Sequence, residues 1–61
     1  MPIIQVTLVK GRDDEKIRAC VRELARTAAR TLDAPLESVR VMVHETEPDR
    51  FAVGDRLKSD G

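Results

Sequence analysis

Between Ile3 and Val9 the side chains alternate in character, with Ile4, Val6 and Leu8 on one face and Ile3, Gln5, Thr7 and Val9 on the other. A period of two over this stretch predicts a strand with one unbroken apolar side. Lys10-Gly11-Arg12-Asp13 interrupts the alternation. Gly11 supplies backbone freedom, Asp13 is placed to cap a helix, and Asp14 and Glu15 put negative charge where a helix N-terminus favours it. The period then changes. At 100° per residue, Ile17, Cys20, Val21, Leu24, Ala25, Ala28 and Leu32 fall within an arc of roughly 140°, the stripe of a helix that lies on a core. A helix is therefore expected from Asp14 to Leu32. Pro35 disfavours helical backbone at Ala34 and ends it. A second strand is expected from Ser38 to His44, with Val39, Val41 and Val43 on its apolar face and Arg40, Met42 and His44 on the other.

Strand, helix and strand in this order form a βαβ unit, which makes the two strands parallel. Beyond Glu47-Pro48-Asp49-Arg50 comes a short apolar piece, Phe51-Ala52-Val53, followed by Gly54. It predicts a short C-terminal hairpin or a strand that docks on a neighbouring subunit. Arg56 to Gly61 is polar and is expected to fray. The fold class is thus α/β, one small domain spanning residues 1–61.

A chain of 61 residues buries only about 60% of the surface its unfolded form exposes, so its own core is marginal. One cysteine, Cys20, rules out an internal disulfide, and one histidine leaves no metal-ligand spacing. Self-association is the remaining way to gain core. Eleven basic residues balance eleven acidic ones, so no net field favours nucleic acid or an anionic membrane. No apolar run approaches the length of a membrane span and no leader is visible, which predicts a soluble cytoplasmic protein. Arg18, Arg22, Arg26 and Arg30 mark the outer helix face, but Glu15, Glu23 and Asp33 accompany them. That face is expected to be solvated or to form a subunit rim. A nucleic-acid surface is the weaker reading.

The chemistry that remains is at the start of the chain. Pro2 directly follows Met1, and an initiator methionine before a small residue is normally removed, which would leave a secondary amine at the head of an apolar strand. An α-amino group ordinarily titrates near about 7.7 to 8.0. An apolar setting and nearby cations make such an amine less basic, and Arg12 and Arg40 are the candidate cations. With Met1 in place, the same nitrogen is an amide without a proton and has no such use. Taken singly, each residue has a plainer role. Pro2 can simply begin a strand, Arg12 can be a solvated loop residue, Arg40 a subunit ion pair and Phe51 part of an oligomer core. His44 reads as a surface or interface residue and Cys20 as core.

Taken together, Pro2-Ile3-Ile4-Gln5-Val6, Lys10-Gly11-Arg12, Leu32-Asp33-Ala34-Pro35-Leu36-Glu37-Ser38-Val39-Arg40-Val41 and Phe51-Ala52-Val53-Gly54 resemble the 4-oxalocrotonate tautomerase family, in order and spacing, over nearly the whole chain. The resemblance implies βαβ dimers that assemble into a hexamer, with each pocket built from more than one subunit. It implies a cofactor-independent, metal-free isomerase acting on a small dicarboxylic or 2-oxo acid such as 2-hydroxymuconate. Pro2 matches the family's general base and acid, and Arg12 the arginine that binds the remote carboxylate. Arg40 matches the arginine at the other end of the substrate, Phe51 the aromatic that keeps the pocket dry, and Ser38 lies among the substrate-binding positions. Ala52 and Asp55 stand where glycines are common in the family. Related dehalogenases place a carboxylate at the position of Val53 and an extra arginine near Val9, so these two valines favour tautomerisation over hydration. Homo-hexamer and hetero-hexamer with a paralogous chain both fit. The alternative function is a non-catalytic, Met1-retaining subunit of such a hetero-oligomer.

Overall fold

The computed structural model describes all 61 residues, Met1 to Gly61. Strand β1 spans Ile3–Val9, helix α1 Asp14–Leu32 and strand β2 Arg40–Thr46. β1 and β2 pair in parallel over their full lengths, from Ile3 opposite Arg40 to Val9 opposite Thr46. A second, antiparallel pair follows, β3 (Ala52–Val53) and β4 (Arg56–Leu57), turning at Gly54 and Asp55. Gly54 has φ +64°, a backbone conformation that glycine adopts without strain. No helix is long and apolar enough to cross a membrane.

The helix begins and ends as its local chemistry requires. The Asp13 carboxylate accepts the Glu15 N–H at 3.3 Å, capping the first turn. At the other end Asp33 takes the left-handed conformation, φ 54° and ψ 47°, and the Ala34 N–H donates to the Ala29 carbonyl at 2.9 Å. This pattern satisfies a carbonyl the helix would otherwise leave open. Pro35 follows, but the left-handed turn at Asp33 ends the helix before proline is reached.

Two expectations about chain ends need correction. β2 occupies Arg40–Thr46 rather than Ser38 to His44, a shift of two residues. Leu36–Ser38 is a single tight turn, in which the Ser38 N–H and hydroxyl both donate to the Pro35 carbonyl, at 3.0 and 2.7 Å. At its far end the strand is held on to Thr46 by its parallel partner and by the Lys10 N–H, which donates to the Thr46 carbonyl at 2.8 Å. The polar tail is not frayed either. After β4 a tight turn at Lys58–Asp60 is fixed by the Lys58 N–H on the Phe51 carbonyl at 2.8 Å and the Leu57 N–H on the Asp60 carboxylate at 2.9 Å.

α1 lies on one face of the sheet, against Ile4, Val6 and Leu8 of β1 and Val41 and Val43 of β2, all of them half-buried. The covered helix face is centred on Ala28 and reaches Ala29. Cys20, at the edge of the predicted arc, is exposed, and Leu32 is 63% exposed; neither is core in the single chain. Ala28 is in fact the one buried residue. The chain is a slab of 42 × 24 × 13 Å with a radius of gyration of 14.5 Å, well above the roughly 10.5 Å of a compact domain this long. The far face of the sheet is uncovered, Ile3 and Met42 being 58% and 49% exposed. Each strand is also paired on one side only, which leaves two open edges.

Candidate active site

The parallel register places Pro2 beside Arg40. The Arg40 N–H donates to the Pro2 carbonyl at 2.9 Å, extending the ladder one residue beyond the start of β1. Pro2 itself is half-buried, whereas Met1 projects from it with 78% of its surface exposed. The Arg40 side chain folds back along the preceding turn, its guanidinium donating to the Glu37 carbonyl at 2.8 Å. Ser38, half-buried, belongs to that same turn. Pro2, Ser38 and Arg40 therefore gather at one end of the sheet.

Arg12 lies at the other end. It follows β1, which rises roughly 23 Å from Pro2 to Val9, in a loop tied down by the Lys10 ammonium on the Glu47 carboxylate at 3.2 Å. Gly11, with φ +134°, makes the bend. Arg12 lines a depression of about 540 Å³ with Leu8, Gly11, Asp13, Lys16, Ile17 and Cys20. Phe51 is reached from the same end of the sheet through the turn Pro48–Arg50, but it opens onto a different depression, about 210 Å³, formed by the hairpin and the tail. A third, of about 600 Å³, runs along the sheet between Gln5, Thr7, Met42 and His44 and holds none of the predicted site residues.

One chain thus brings Pro2, Ser38 and Arg40 together and keeps Arg12 and Phe51 apart from them. No cavity of the single chain contains both Pro2 and Arg12. His44 is exposed on the far sheet face, as expected of a surface or interface residue. Of the helix arginines, Arg18 pairs with Asp14 at 2.7 Å and Arg26 with Glu23 at 3.5 Å, which fits a solvated face. One residue of interest escaped the reading of the sequence, namely Lys16, which shares the Arg12 depression. Its spacing of four from Arg12 was the available signal, but Arg12 lies before the helix, where that spacing carries less meaning.

The chain has clear relatives. The family profile of tautomerase enzymes matches residues 2–61. A 2-hydroxymuconate tautomerase from Pseudomonas putida is 42% identical over 59 residues, 97% of this chain and 94% of the relative. Among solved structures, a 4-oxalocrotonate tautomerase homologue superposes with a TM-score of 0.93 at 44% identity, covering 100% of this chain and 97% of the other. A chain of the heterohexameric 4-oxalocrotonate tautomerase from Chloroflexus aurantiacus does so with a TM-score of 0.92 at 30% identity, covering 98% and 97%. With the parallel βαβ unit, the hairpin and a match that extends over nearly every residue, the chain belongs to the 4-oxalocrotonate tautomerase family of tautomerases.

Proposed function

We propose that the protein is a cofactor-independent tautomerase of small conjugated enol or 2-oxo acids such as 2-hydroxymuconate, with the amine of Pro2 as general base and acid once Met1 is removed. The observation that carries this reading is the setting of Pro2. It is half-buried at the head of β1, tied through its carbonyl to Arg40, and preceded by a methionine open to an aminopeptidase. In the neutral state the amine takes the enol hydroxyl proton, the electron pair spreads along the conjugated chain as a dienolate, and the resulting ammonium returns the proton to a distant carbon. No atom is gained or lost and no redox partner is needed. Fixed cations at each end of the substrate stabilise the spreading negative charge, Arg40 beside the amine and Arg12 at the remote carboxylate. Ser38 and Phe51 complete the pocket, the Ser38 hydroxyl turning from the Pro35 carbonyl to donate to the substrate and Phe51 excluding water.

Because one chain separates Pro2 from Arg12, this pocket requires at least two chains. An assembly of βαβ dimers into a hexamer, whether homomeric or with a paralogous chain, supplies them and covers the exposed sheet face. The test has two parts. Intact mass gives the state of Met1, and ultraviolet absorbance follows the ketonisation of 2-hydroxymuconate. A chain lacking Met1 that turns over the dienol supports the proposal, and a processed, assembled chain that leaves it untouched ends it. The second reading, a non-catalytic Met1-retaining subunit of a hetero-hexamer, draws on the heterohexameric relative. It predicts a mass heavier by one methionine and co-purification with a second chain.

A further inference from the structure

The Arg12 depression contains a second cation that the mechanism above does not use. Lys10, Arg18, Arg26 and Arg50 each lie within ion-pair distance of a carboxylate, at 3.2, 2.7, 3.5 and 3.3 Å. Arg12, Lys16, Arg22, Arg30, Arg40, Arg56 and Lys58 have no such partner; of these, Arg56 and Lys58 share the hairpin depression, and Arg12 and Lys16 share the one that holds the arginine assigned to the remote carboxylate. Asp13, the one carboxylate at its rim, is engaged as the helix cap, accepting the Glu15 N–H. The backbone there has little to offer a ligand, since the Lys16 and Ile17 N–H groups both donate to the Asp13 carbonyl, at 3.1 and 3.2 Å. The remaining walls are Leu8, Ile17 and Cys20. Gly11 leaves the mouth open, with nothing within 4 Å of where a side chain would begin. Two unpaired cations above an apolar floor suit a molecule with a hydrocarbon body and an anionic tip.

We infer that Lys16 is a substrate-binding residue that joins Arg12 in holding the remote carboxylate of a dicarboxylic substrate, and so selects diacids over monoacids. This rests on the tautomerase reading for the identity of the substrate, but the contact itself is a matter of binding. A guanidinium can grip both carboxylate oxygens in its plane, whereas an ammonium acts as a compact point charge that can approach from outside that plane. The two roles are therefore complementary. Lys16 is exposed, so its contribution is that of a partly screened charge. Asp13 opposes it from the rim.

The experiment compares Lys16→Ala, Lys16→Arg and Asp13→Asn with the wild-type assembly. Asparagine retains the helix cap while removing the rim charge. Turnover is measured on 2-hydroxymuconate and on a monocarboxylic enol, 2-hydroxypenta-2,4-dienoate, at low salt. Lys16→Ala is expected to lower kcat/KM for the diacid about threefold to fivefold, the scale of one exposed charge contact. The loss falls mainly in KM, is mostly rescued by Lys16→Arg, and leaves the monoacid unchanged. Asp13→Asn is expected to shift diacid KM the opposite way by a smaller factor. Calorimetry with adipate, an unreactive six-carbon diacid, gives a readout independent of turnover, and binding weakens by the same factor in Lys16→Ala. Equal losses on both substrates, or no change in adipate binding, would overturn the role of Lys16. Wild-type protein that binds adipate through Lys16 but turns over neither enol would overturn the tautomerase reading and leave the diacid site standing.

Discussion

The two ends of the β1–β2 sheet are built differently. At the Pro2 end, backbone hydrogen bonds fix the geometry: the Arg40 N–H holds Pro2, the Ser38 N–H holds Pro35, and the left-handed turn at Asp33 brings the chain back to the sheet. At the Arg12 end the Lys10 N–H on the Thr46 carbonyl and the Arg50 N–H on the Glu47 carbonyl are joined by a side-chain ion pair between Lys10 and Glu47, both largely exposed, and the hairpin extends outward with Val53 76% exposed. One end is closed on itself by backbone bonds; the other presents an exposed hairpin beside an open concavity. Under the proposed function these are two halves of a site, each completed by another chain.

The sharpest way to break this comparison is to remove one half at a time. Blocking the removal of Met1, which leaves the Pro2 nitrogen an amide, is expected to lower kcat on 2-hydroxymuconate by roughly 10² to 10⁴, the range of a lost general base. Arg12→Ala is expected to lower kcat/KM by roughly 10- to 150-fold through loss of a charge-assisted contact. Mixing the two impaired variants after dissociation and reassembly is expected to raise activity above the average of the two alone, because some mixed pockets draw an intact Pro2 and an intact Arg12 from different chains. Absence of any recovery, with mixed assemblies verified by mass, would place both residues of each pocket in one chain.

Smaller effects sharpen the contrast. Phe51→Ala removes an aromatic surface from the open end, 39% of it exposed in the single chain, and is expected to weaken assembly by about 0.6 to 1.2 kcal/mol per chain if a neighbour covers that remainder fully. Sedimentation equilibrium measures this, and an unchanged association constant would take Phe51 out of the interface. At the rigid end, Asp33→Gly relieves a residue held at φ 54° and is expected to stabilise the protein by about 0.5 to 1 kcal/mol. Thermal denaturation detects that as a modest rise in Tm, and a fall would mean that the Asp33 side chain earns its position in the assembly.

The fold was legible where a repeat could be counted. The alternation at Ile4, Val6 and Leu8 and the helical stripe from Ile17 to Ala28 gave β1 and α1 with the observed ends. β2 was misplaced by two residues because Leu36-Glu37-Ser38 carries no periodicity, and its tight turn depends on hydrogen bonds to Pro35 that no pattern reveals. The tail was misread because its order comes from Phe51 and Asp60, partners outside the local alternation. The core was overestimated for a different reason. Cys20 and Leu32 are apolar in the right stripe, yet one helix over two strands is too narrow to cover them. For the site, the sequence supplied the residue types, and the family resemblance implied that they come from more than one chain. It missed Lys16, since a shared depression is a property of shape.

A chain that shelters one alanine and little else has a kinetic consequence. With a pocket drawn from more than one chain, as proposed, catalysis lasts only while the chains stay together, and specific activity is then not expected to be a constant of the preparation. On dilution below the association threshold, turnover per chain declines with time as complexes separate, and it returns when the sample is concentrated.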